Sequence, residues 1–279
     1  MPRPKRNELP RPFLKWAGGK TQLLPQLAAL FPPPSEVKRY LEPFVGSGAV
    51  FFHLRKQHPL REVILADSNA ELIDTYRAIR DDVEAVIRAL RRHREAHSKE
   101  YYYRTRALDA LRLSPSARAA RTIYLNKTCF NGLYRLNSRG GFNVPLGRYQ
   151  DPPILDSANL RAVAEALRDV ELRVAHFRET LGYARRGDFI YFDPPYQPLS
   201  QTASFTSYTR RPFGDKDQEE LAEVFGRLAG IGCRVMLSNS DTPFIHRLYR
   251  DFEIHKVGAR RSINSKGSRR GIIAEVVAC

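Results

Sequence analysis

The stretch GDFIYFDPPYQPLS, at positions 187–200, ends a buried segment with a carboxylate and an aromatic turn. Its FIYF portion is apolar and aromatic without a break, which predicts a short core strand. Asp193, Pro194, Pro195 and Tyr196 follow directly. Because proline fixes its own φ angle and pushes the residue before it into extended backbone, this turn is stiff. It can hold the Asp193 carboxylate and the Pro194 carbonyl as neighbouring hydrogen-bond acceptors, with no N–H group nearby to compete for them.

Two acceptors at that separation match the two hydrogens of an amino group, and the Tyr196 ring can stack on the ring that carries the amine. The lone pair of a nucleobase amino group is delocalised, so the amine is a poor nucleophile. Acceptors on both hydrogens favour a tetrahedral nitrogen whose lone pair can face a methyl donor, and positioning and electrostatics then carry the reaction. The turn therefore favours methyl transfer to a nucleobase amine that has left the duplex stack. The alternative is a proline turn that only ends the strand.

A second site is predicted where a strand over VKRYLEPF (37–44) meets the glycine turn VGSG, which contains Gly46 and Gly48. Strand, glycine turn and helix together present backbone N–H groups to a cofactor. Asp67 ends the next strand, at the point where dinucleotide folds bind ribose hydroxyls. Phe51 stands where the third glycine of a dinucleotide motif would be. This favours S-adenosylmethionine (SAM), which has a ribose and an adenine but no pyrophosphate, over NAD; a tight turn without a ligand is the alternative.

The segment FLKWAGGK, at positions 13–20, precedes this first strand and contains Trp16, the only tryptophan of the chain. As a functional element it would form a lid over the cofactor, with Lys15 and Lys20 placed for a carboxylate. The alternative is an N-terminal turn with a tryptophan in the core.

The chain of 279 residues carries a formal net charge of +16, and much of this charge lies in its middle. Positions 77–150 hold 16 Lys and Arg against 6 Asp and Glu, and no acid lies between Asp109 and Asp151. A concentrated surplus is better explained by a phosphate-facing surface than by solubility, so we expect a nucleic acid as partner. The basic RRSINSKGSRR (260–270) either touches phosphates or forms a solvated hairpin tip.

Three cysteines without a CxxC pair, Cys129, Cys233 and Cys279, argue against a structural zinc or a disulfide framework and suit a reduced cytosol. No apolar run approaches the roughly 20 residues that span a bilayer, and the N-terminus MPRPKRNELPRP is typical of a flexible arm. His93 and His97 are spaced like metal ligands on a helix, but the arginines around them favour a solvated face. We expect a cytoplasmic protein of bacterial or phage type, with no targeting signal, no membrane partner and no metal.

Strands and helices alternate at both ends of the chain, which predicts an α/β fold with a mostly parallel sheet flanked by helices. Positions 77–125 predict helices without strands, and NGLYRLNSRGGFNVPLGRY (131–149) predicts a β-hairpin or a long ordered loop. We divide the chain into a SAM-binding catalytic domain at 1–76 and 166–279 and an inserted target-recognition domain at 77–165. Strands are expected at 37–44, 61–68, 188–192, 233–238, 252–258 and 271–278. Helices are expected at 47–56, over NAELIDTYRAIR (69–80) with Asn69 as its cap, at 215–229 and at 242–250.

Five segments carry a family resemblance: FLKWAGGK, EPFVGSG, ADSNAELI, NGLYRLNSRGGFNVP and DPPY. Together and in this order they resemble the Dam-type DNA adenine methyltransferases of the α group, over nearly the whole chain from Phe13. SNSDT (238–242) and the closing RRSI and AEVVA segments also look like that family. In the α group the target-recognition region separates the SAM-binding motif from the catalytic motif, as the basic insertion does here. The resemblance implies a Rossmann-like SAM-methyltransferase fold and a site-specific enzyme that methylates adenine in double-stranded DNA.

The resemblance also implies roles for individual residues. Asp193 would serve both the cofactor and the target amine, beside Pro194 and Tyr196. SAM contacts are implied at Trp16, Lys20, Asp67 and Asp193, with Phe192 flanking the cofactor adenine and with Phe44, Gly46 and Gly48 in the glycine turn. DNA contacts are implied at Asn131, Leu133, Arg135, Pro145 and Tyr149, and Arg135 is the candidate for reading a guanine edge.

Members of the GATC-reading branch use the hairpin region for DNA, so we expect GATC or a close relative as the target. A short palindrome suits a monomer, and a cognate restriction endonuclease is a candidate partner. An RNA methyltransferase, a 4-amino-cytosine methyltransferase, a non-catalytic DNA-binding protein on the same fold and a dehydrogenase stay open as alternatives. Asp193 favours adenine, because 4-amino-cytosine enzymes more often have serine there. The chain has no Pro-Cys dipeptide, which disfavours a cytosine carbon-5 enzyme with its cysteine nucleophile.

Overall fold

The computed structural model describes residues 10–16, 19–137, 140–199, 213–260 and 272–279. Their strands are β1 (Arg39–Glu42), β2 (Glu62–Asp67), β3 (Val170–Val174), β4 (Phe189–Phe192), β5 (Arg234–Ser240), β6 (Ile254–Arg260) and β7 (Ile272–Ala278). These strands form one sheet in the order β3-β2-β1-β4-β5-β7-β6. The five strands from β3 to β5 pair in parallel, whereas β7 is antiparallel to both of its neighbours. The predicted α/β fold with a mostly parallel sheet is confirmed.

Several helices of the described residues begin at a side chain that caps them. Asn69 accepts a hydrogen bond from the N–H of Leu72, as predicted, and Ser98 and Ser114 cap the two helices that follow. The longest helix is kinked at Asp82. The helices are α1 (Leu24–Leu27), α2 (Ala49–Gln57), α3 (Ala70–Glu95), α4 (Lys99–Ala107), α5 (Pro115–Thr128), α6 (Ser157–Ala166), α7 (Asp215–Ile231) and α8 (Pro243–Leu248).

Both faces of the sheet are covered, as the unbroken apolar run in β4 requires. Phe189 and Tyr191 join one apolar cluster, and Ile190 and Phe192 join another on the opposite face, because successive strand residues point to opposite sides. With both faces buried, the strand ends are the accessible part of the sheet. No helix in the described part of the chain has the length and apolar character needed to cross a membrane.

The long connection between β2 and β3 contains α3, α4, α5 and α6 and the basic loop over 131–149. The inserted domain that was predicted at 77–165 begins inside α3 and ends inside α6. One apolar cluster contains residues from both sides of this division, among them Tyr76 and Tyr102. The connection is therefore packed directly onto the rest of the fold.

The described residues of 131–149 form a loop whose strand-like contacts are isolated bridges. Leu136 bridges to Phe142, and Leu146 bridges to Cys129.

β3 was not predicted from the sequence. Residues 1–9 of the predicted N-terminal arm (1–12) and residues 261–270 of the basic tip (260–270) lie outside the described residues.

The solvated face predicted at His93 and His97 is wrong. His93 stacks on Tyr124 with 4.8 Å between ring centroids, and its Nδ1 lies 2.8 Å from the Tyr101 hydroxyl. His97 Nδ1 lies 2.9 Å from the Tyr124 hydroxyl. Burial lowers the pKa of His93 to about 4, and the neighbouring arginines add to the shift. These histidines, one on α3 and one two residues past its end, therefore contact the tyrosines of α4 and α5.

Candidate active site

A cavity of about 1110 Å³ opens at the carboxyl ends of β1, β2 and β4, the edge at which open parallel sheets bind ligands. The turns that follow these three strands supply much of its wall. The structure therefore brings three predicted segments into one site. They are the glycine turn after β1, the FLKWAGGK segment (13–20) through Trp16 and Lys20, and the Asp-Pro-Pro-Tyr turn after β4. The sequence-predicted residues in the lining are Trp16, Lys20, Phe44, Gly46, Asp67, Asp193, Pro194 and Tyr196.

The glycine turn after β1 is held from two sides. Gly46 has a φ of +47°, and a Cβ there would lie 3.0 Å from the Trp16 ring. Its N–H donates to Asp67 Oδ2 over 3.3 Å, and its carbonyl accepts from the Tyr76 hydroxyl over 3.1 Å. Gly48, with a φ of +70°, caps α2, and a Cβ there would lie 2.7 Å from the same hydroxyl. Gly46 therefore brings backbone to the cavity wall, whereas Gly48 allows close packing behind it.

Asp67 ends β2 and presents its carboxylate to the cavity. Its oxygens accept backbone N–H groups from Asn69 over 2.9 Å and from Gly46 over 3.3 Å. Burial raises the pKa of Asp67 to about 6, although these N–H groups lower it. A carboxylate has about four acceptor positions. Because the Ser68 N–H also interacts with this carboxylate, Asp67 can accept at least one further donor, such as a ribose hydroxyl.

Three phenylalanine rings give the cavity an apolar wall. Phe44 stacks on Phe177 with 5.6 Å between ring centroids and meets Phe213 edge-on at 5.9 Å. The prediction that Phe192 flanks a ligand needs correction, because its side chain is 0% exposed and lies 6.4 Å from Phe44 between centroids. As a strand residue that points into the core, Phe192 supports the wall from behind. Phe177 and Phe213 were missed in the sequence.

The Asp193 carboxylate forms an ion pair with Lys20, whose Nζ lies 2.6 Å from Asp193 Oδ1. The Lys20 side chain is 3% exposed and that of Asp193 is 21% exposed, so the pair lies deep in the cavity. Lys20 Nζ also lies 4.6 Å from the centroid of the Tyr196 ring, within cation–π range. Burial raises the pKa of Asp193 to about 6; Lys20 lowers it and Glu275 raises it. Asp193 is therefore ionised at neutral pH and can accept hydrogen bonds.

Buried polar side chains of α7 and β5 fix the backbone of this turn. Gln218 Nε2 donates to the Pro195 carbonyl over 2.8 Å, and Asn239 Oδ1 accepts from the N–H of Gln197 over 3.0 Å. Asn239 Nδ2 also donates to Gln218 Oε1 over 3.0 Å, and both side chains are 0% exposed. Ser240 Oγ donates to the Gln197 carbonyl over 2.7 Å. The SNSDT segment was the sequence signal for this network, but the partner on α7 was not visible.

A second carboxyl group, that of Glu42 at the end of β1, lines the cavity near Asp193. Its Oε2 accepts from the Tyr40 hydroxyl over 2.8 Å. Burial raises the pKa of Glu42 well above its usual value, and the Asp193 carboxylate adds to the rise. Sequence reasoning did not single out Glu42.

The loop over 131–149 reaches the cavity on the side of Trp16. The Tyr134 hydroxyl donates to Glu71 Oε2 over 2.7 Å, and both residues line the cavity. The rings of Tyr134 and Trp16 lie 5.4 Å apart between centroids. Asn126 Nδ2 fixes the start of the loop by donating to the Gly132 carbonyl over 3.1 Å. A ligand in the cavity and a ligand on the loop would therefore lie side by side.

The five residues predicted to contact DNA lie on this loop. Arg135 Nε donates to Asn143 Oδ1 over 2.7 Å, which orients its guanidinium group. The Tyr149 ring faces Lys15 Nζ at 4.0 Å. Phe130, which the sequence did not single out, is 46% exposed, and large exposed rings on a basic loop suit contact with bases. The exposed members of the predicted set are Asn131, Arg135, Pro145 and Tyr149, and the half-buried one is Leu133.

Comparisons with known proteins agree with this geometry. The sequence model of the family described as D12 class N6 adenine-specific DNA methyltransferase matches residues 16–263. The chain is 43% identical over 273 residues to Type II methyltransferase M1.LlaDCHI of Lactococcus lactis subsp. cremoris, with 96% of this chain and 94% of the relative covered. It is 43% identical over 276 residues to Type II methyltransferase M.MjaIII of Methanocaldococcus jannaschii, with 93% and 95% covered. It is 36% identical over 270 residues to a DNA adenine methylase of Escherichia coli, with 96% and 94% covered.

Proposed function

Since the chain belongs to the D12 class N6 adenine-specific DNA methyltransferase family, we propose that it transfers a methyl group from SAM to adenine in GATC sites of duplex DNA. The observation that carries this proposal is the Asp193–Lys20 ion pair beside Tyr196, in the same cavity as Asp67. One cavity can thus hold a cofactor against Asp67 and an amine against Asp193.

The lining of the cavity suits SAM. Bound SAM supplies a methyl group made electrophilic by a sulfonium centre. Asp67 accepts the ribose hydroxyls, and the rings of Phe44, Phe177 and Phe213 pack against the adenine. Trp16 and the Gly46 backbone close the opposite side. The buried Asp193 and Asp67 carboxylates also favour a cationic ligand.

Asp193 and the Pro194 carbonyl hold the target amine by its two hydrogens. The Asp193 carboxylate stabilises the positive charge that develops on the nitrogen and is the nearest acceptor for the proton that the nitrogen then loses. Tyr196 stacks on the adenine ring. Because the polar network of Gln218 and Asn239 holds the turn rigid, these groups are in place before the base arrives.

The depth of the site supports base flipping. Lys20 is buried and Asp193 is only partly exposed at the bottom of the cavity. A base that stays in the duplex stack could not bring its amino group to Asp193. We propose that the adenine rotates out of the helix and that the inserted segment at 77–165 holds the DNA while it does so.

Arg135→Ala is expected to cost about 1–3 kcal/mol of discrimination at one guanine of the site. The Arg135 side chain is exposed and is oriented by Asn143, so it can present a fixed pair of N–H donors to a guanine edge. The measurement is a competition assay over every single-base variant of the target duplex. Arg148→Ala is the matched control, because Arg148 is an exposed arginine of the same loop; it should weaken all duplexes equally. An unchanged specificity profile for Arg135→Ala would refute direct readout.

Methyl transfer is expected to fail as the pH falls through about 6, because burial raises the pKa of both Asp193 and Asp67 to about 6. Protonation removes the negative charge of each group and turns one of its acceptor oxygens into a donor, so activity is complete above this pKa and is lost below it. Measuring kcat/KM for DNA at saturating SAM isolates the contribution of Asp193. A rate that stays level down to pH 4.5, with the protein still folded, would contradict the assignment.

The proposed function is tested with labelled SAM and purified protein on duplex DNA, single-stranded DNA and RNA. We expect label on the 6-amino group of adenine in duplex GATC and little label elsewhere. Label on cytosine, or RNA as the better substrate, would reject the proposal. Because the relatives include proteins named Type II methyltransferases, we further propose a restriction endonuclease of the same specificity as a partner, with the methyltransferase acting as a monomer.

A further inference from the structure

Glu275 lies in β7, far from the catalytic turn in the chain but next to it in the fold. β7 is antiparallel to β5, and Glu275 stands opposite Ser240, the last residue of β5. From this position its Oε2 accepts a hydrogen bond of 2.6 Å from the Tyr196 hydroxyl. β7 therefore reaches past β5 to the turn that follows β4.

We propose that Glu275 positions the Tyr196 ring for the target base. This inference rests on the proposed function, in which Tyr196 stacks on the adenine. Glu275 is a positioning residue, because it acts through Tyr196 and through its charge.

The hydrogen bond fixes the far end of the tyrosine ring. The buried network of Gln218 and Asn239 fixes the backbone on either side of Tyr196 but leaves the side chain free to rotate about χ1. A second attachment at the hydroxyl removes this freedom. The ring has therefore already lost its conformational entropy before the base binds. An unattached ring could instead turn into the cavity that the base must enter.

The same hydrogen bond prepares the ring face. Lys20 Nζ lies 4.6 Å from the Tyr196 centroid. A phenol that donates to a carboxylate has a more electron-rich ring, which strengthens a cation–π contact. Burial raises the pKa of Tyr196 well above its usual value, and the Asp193 and Glu275 carboxylates add to the rise. Tyr196 therefore keeps its proton and stays the donor.

The charge of Glu275 also acts on Asp193 directly. Burial is the largest cause that raises the pKa of Asp193, Glu275 raises it further, and Lys20 opposes them. Glu275 thus keeps the pKa of Asp193 closer to neutral pH, which makes Asp193 a better proton acceptor. The other ionisable groups near Asp193 are Glu42 and Tyr40 from β1, Tyr191 from β4 and Tyr196 from the turn itself.

Two variants, Tyr196→Phe and Glu275→Ala, test the hydrogen bond between Tyr196 and Glu275 from its two ends. Each is expected to lower kcat by roughly 10- to 100-fold, since each removes the same charge-assisted hydrogen bond. SAM affinity should stay within about twofold, because neither change touches Asp67 or the phenylalanine wall. The double variant should be no slower than the slower single variant. Additive losses, or full activity in Tyr196→Phe, would overturn the inference.

Glu275→Gln separates the hydrogen bond from the charge. The amide oxygen can still accept from Tyr196, so most of the lost kcat should return. The charge is gone, so the pKa of Asp193 should fall and the acid limb of kcat/KM should move to lower pH. In Tyr196→Phe the charge remains, so its acid limb should stay near that of the wild type. A Glu275→Gln enzyme with the wild-type acid limb would refute the effect of charge.

Glu253→Gln is the matched control, because Glu253 is a carboxylate near the end of the neighbouring strand β6 whose side chain is 75% exposed. It should leave kcat and the acid limb unchanged. Asp193→Ala measured in parallel separates the two proposals. If Asp193→Ala retains activity, the proposed function fails. If Asp193→Ala is inactive while Glu275→Ala and Tyr196→Phe keep wild-type kcat, only the role of Glu275 fails.

Discussion

Asp193→Ala is expected to lower kcat by about 10²- to 10³-fold, the range for loss of one preorganised group that stabilises developing charge. The variant loses the acceptor for the target amine and the charge that stabilises the nitrogen during transfer. It also removes the ion pair at 2.6 Å with the buried Lys20. DNA affinity should stay close to that of the wild type, because phosphate contacts outside the cavity dominate binding. The measurement is single-turnover methylation beside a DNA-binding titration.

Two further variants make this result specific. Asp193→Asn keeps the shape of the side chain, so a similar loss there would come from charge and not from a packing defect. Asp169→Ala is the matched control, since its side chain is 71% exposed and lies at the start of β3, away from the cavity. It should keep full activity. An Asp193→Ala enzyme with a tenth or more of wild-type turnover would contradict the catalytic role.

Asp67→Ala is expected to weaken SAM binding by roughly 10- to 100-fold, since a hydrogen bond to a charged group contributes about 1.5–3 kcal/mol. The variant loses the acceptor for the ribose and the carboxylate that holds the Gly46 N–H. Both losses affect the binding of SAM, so kcat at saturating SAM should change less than the dissociation constant of SAM. Calorimetry measures the constant directly.

The matched control for Asp67 is Asp81→Ala, because Asp81 is an aspartate on α3 whose side chain is 60% exposed. It should leave SAM affinity unchanged. Equal SAM affinity in Asp67→Ala and in the wild type would place the ribose elsewhere in the cavity.

The sequence predicted the site because its motifs stand at the ends of parallel strands. Asp67 and Asp193 each end a buried apolar run, and the carboxyl ends of parallel strands meet at one edge of the sheet. The capping role of Asn69 followed from residue type and position alone. The strand ends at Asp67 and Asp193 and the cap at Asn69 are each determined by residues that are neighbours in the sequence.

What the sequence missed depends on contacts between distant segments. Phe192 lies in a strand that is buried on both faces, so no alternation showed which side its ring would take, whereas Phe177 and Phe213 reach the cavity wall from other elements. Glu275 meets Tyr196 only because β7 inserts beside β5. By contrast, β3 was missed although its residues alternate between apolar and charged types, which is the pattern of a strand with one buried face. His93 and His97 gained tyrosine partners from neighbouring helices that spacing within their own helix could not show.

Adenine methylation at GATC can be detected by mapping modified bases across a genome. The wild-type chain and its Asp193→Ala variant would be expressed separately in a host that lacks DNA methylation, and the DNA read by long-read sequencing that detects modified bases. We expect N6-methyladenine on both strands of GATC sites with the wild type and unmodified DNA with the variant. Modified cytosine, methylated adenine at a different sequence, or unmodified DNA with a folded wild-type protein would contradict it.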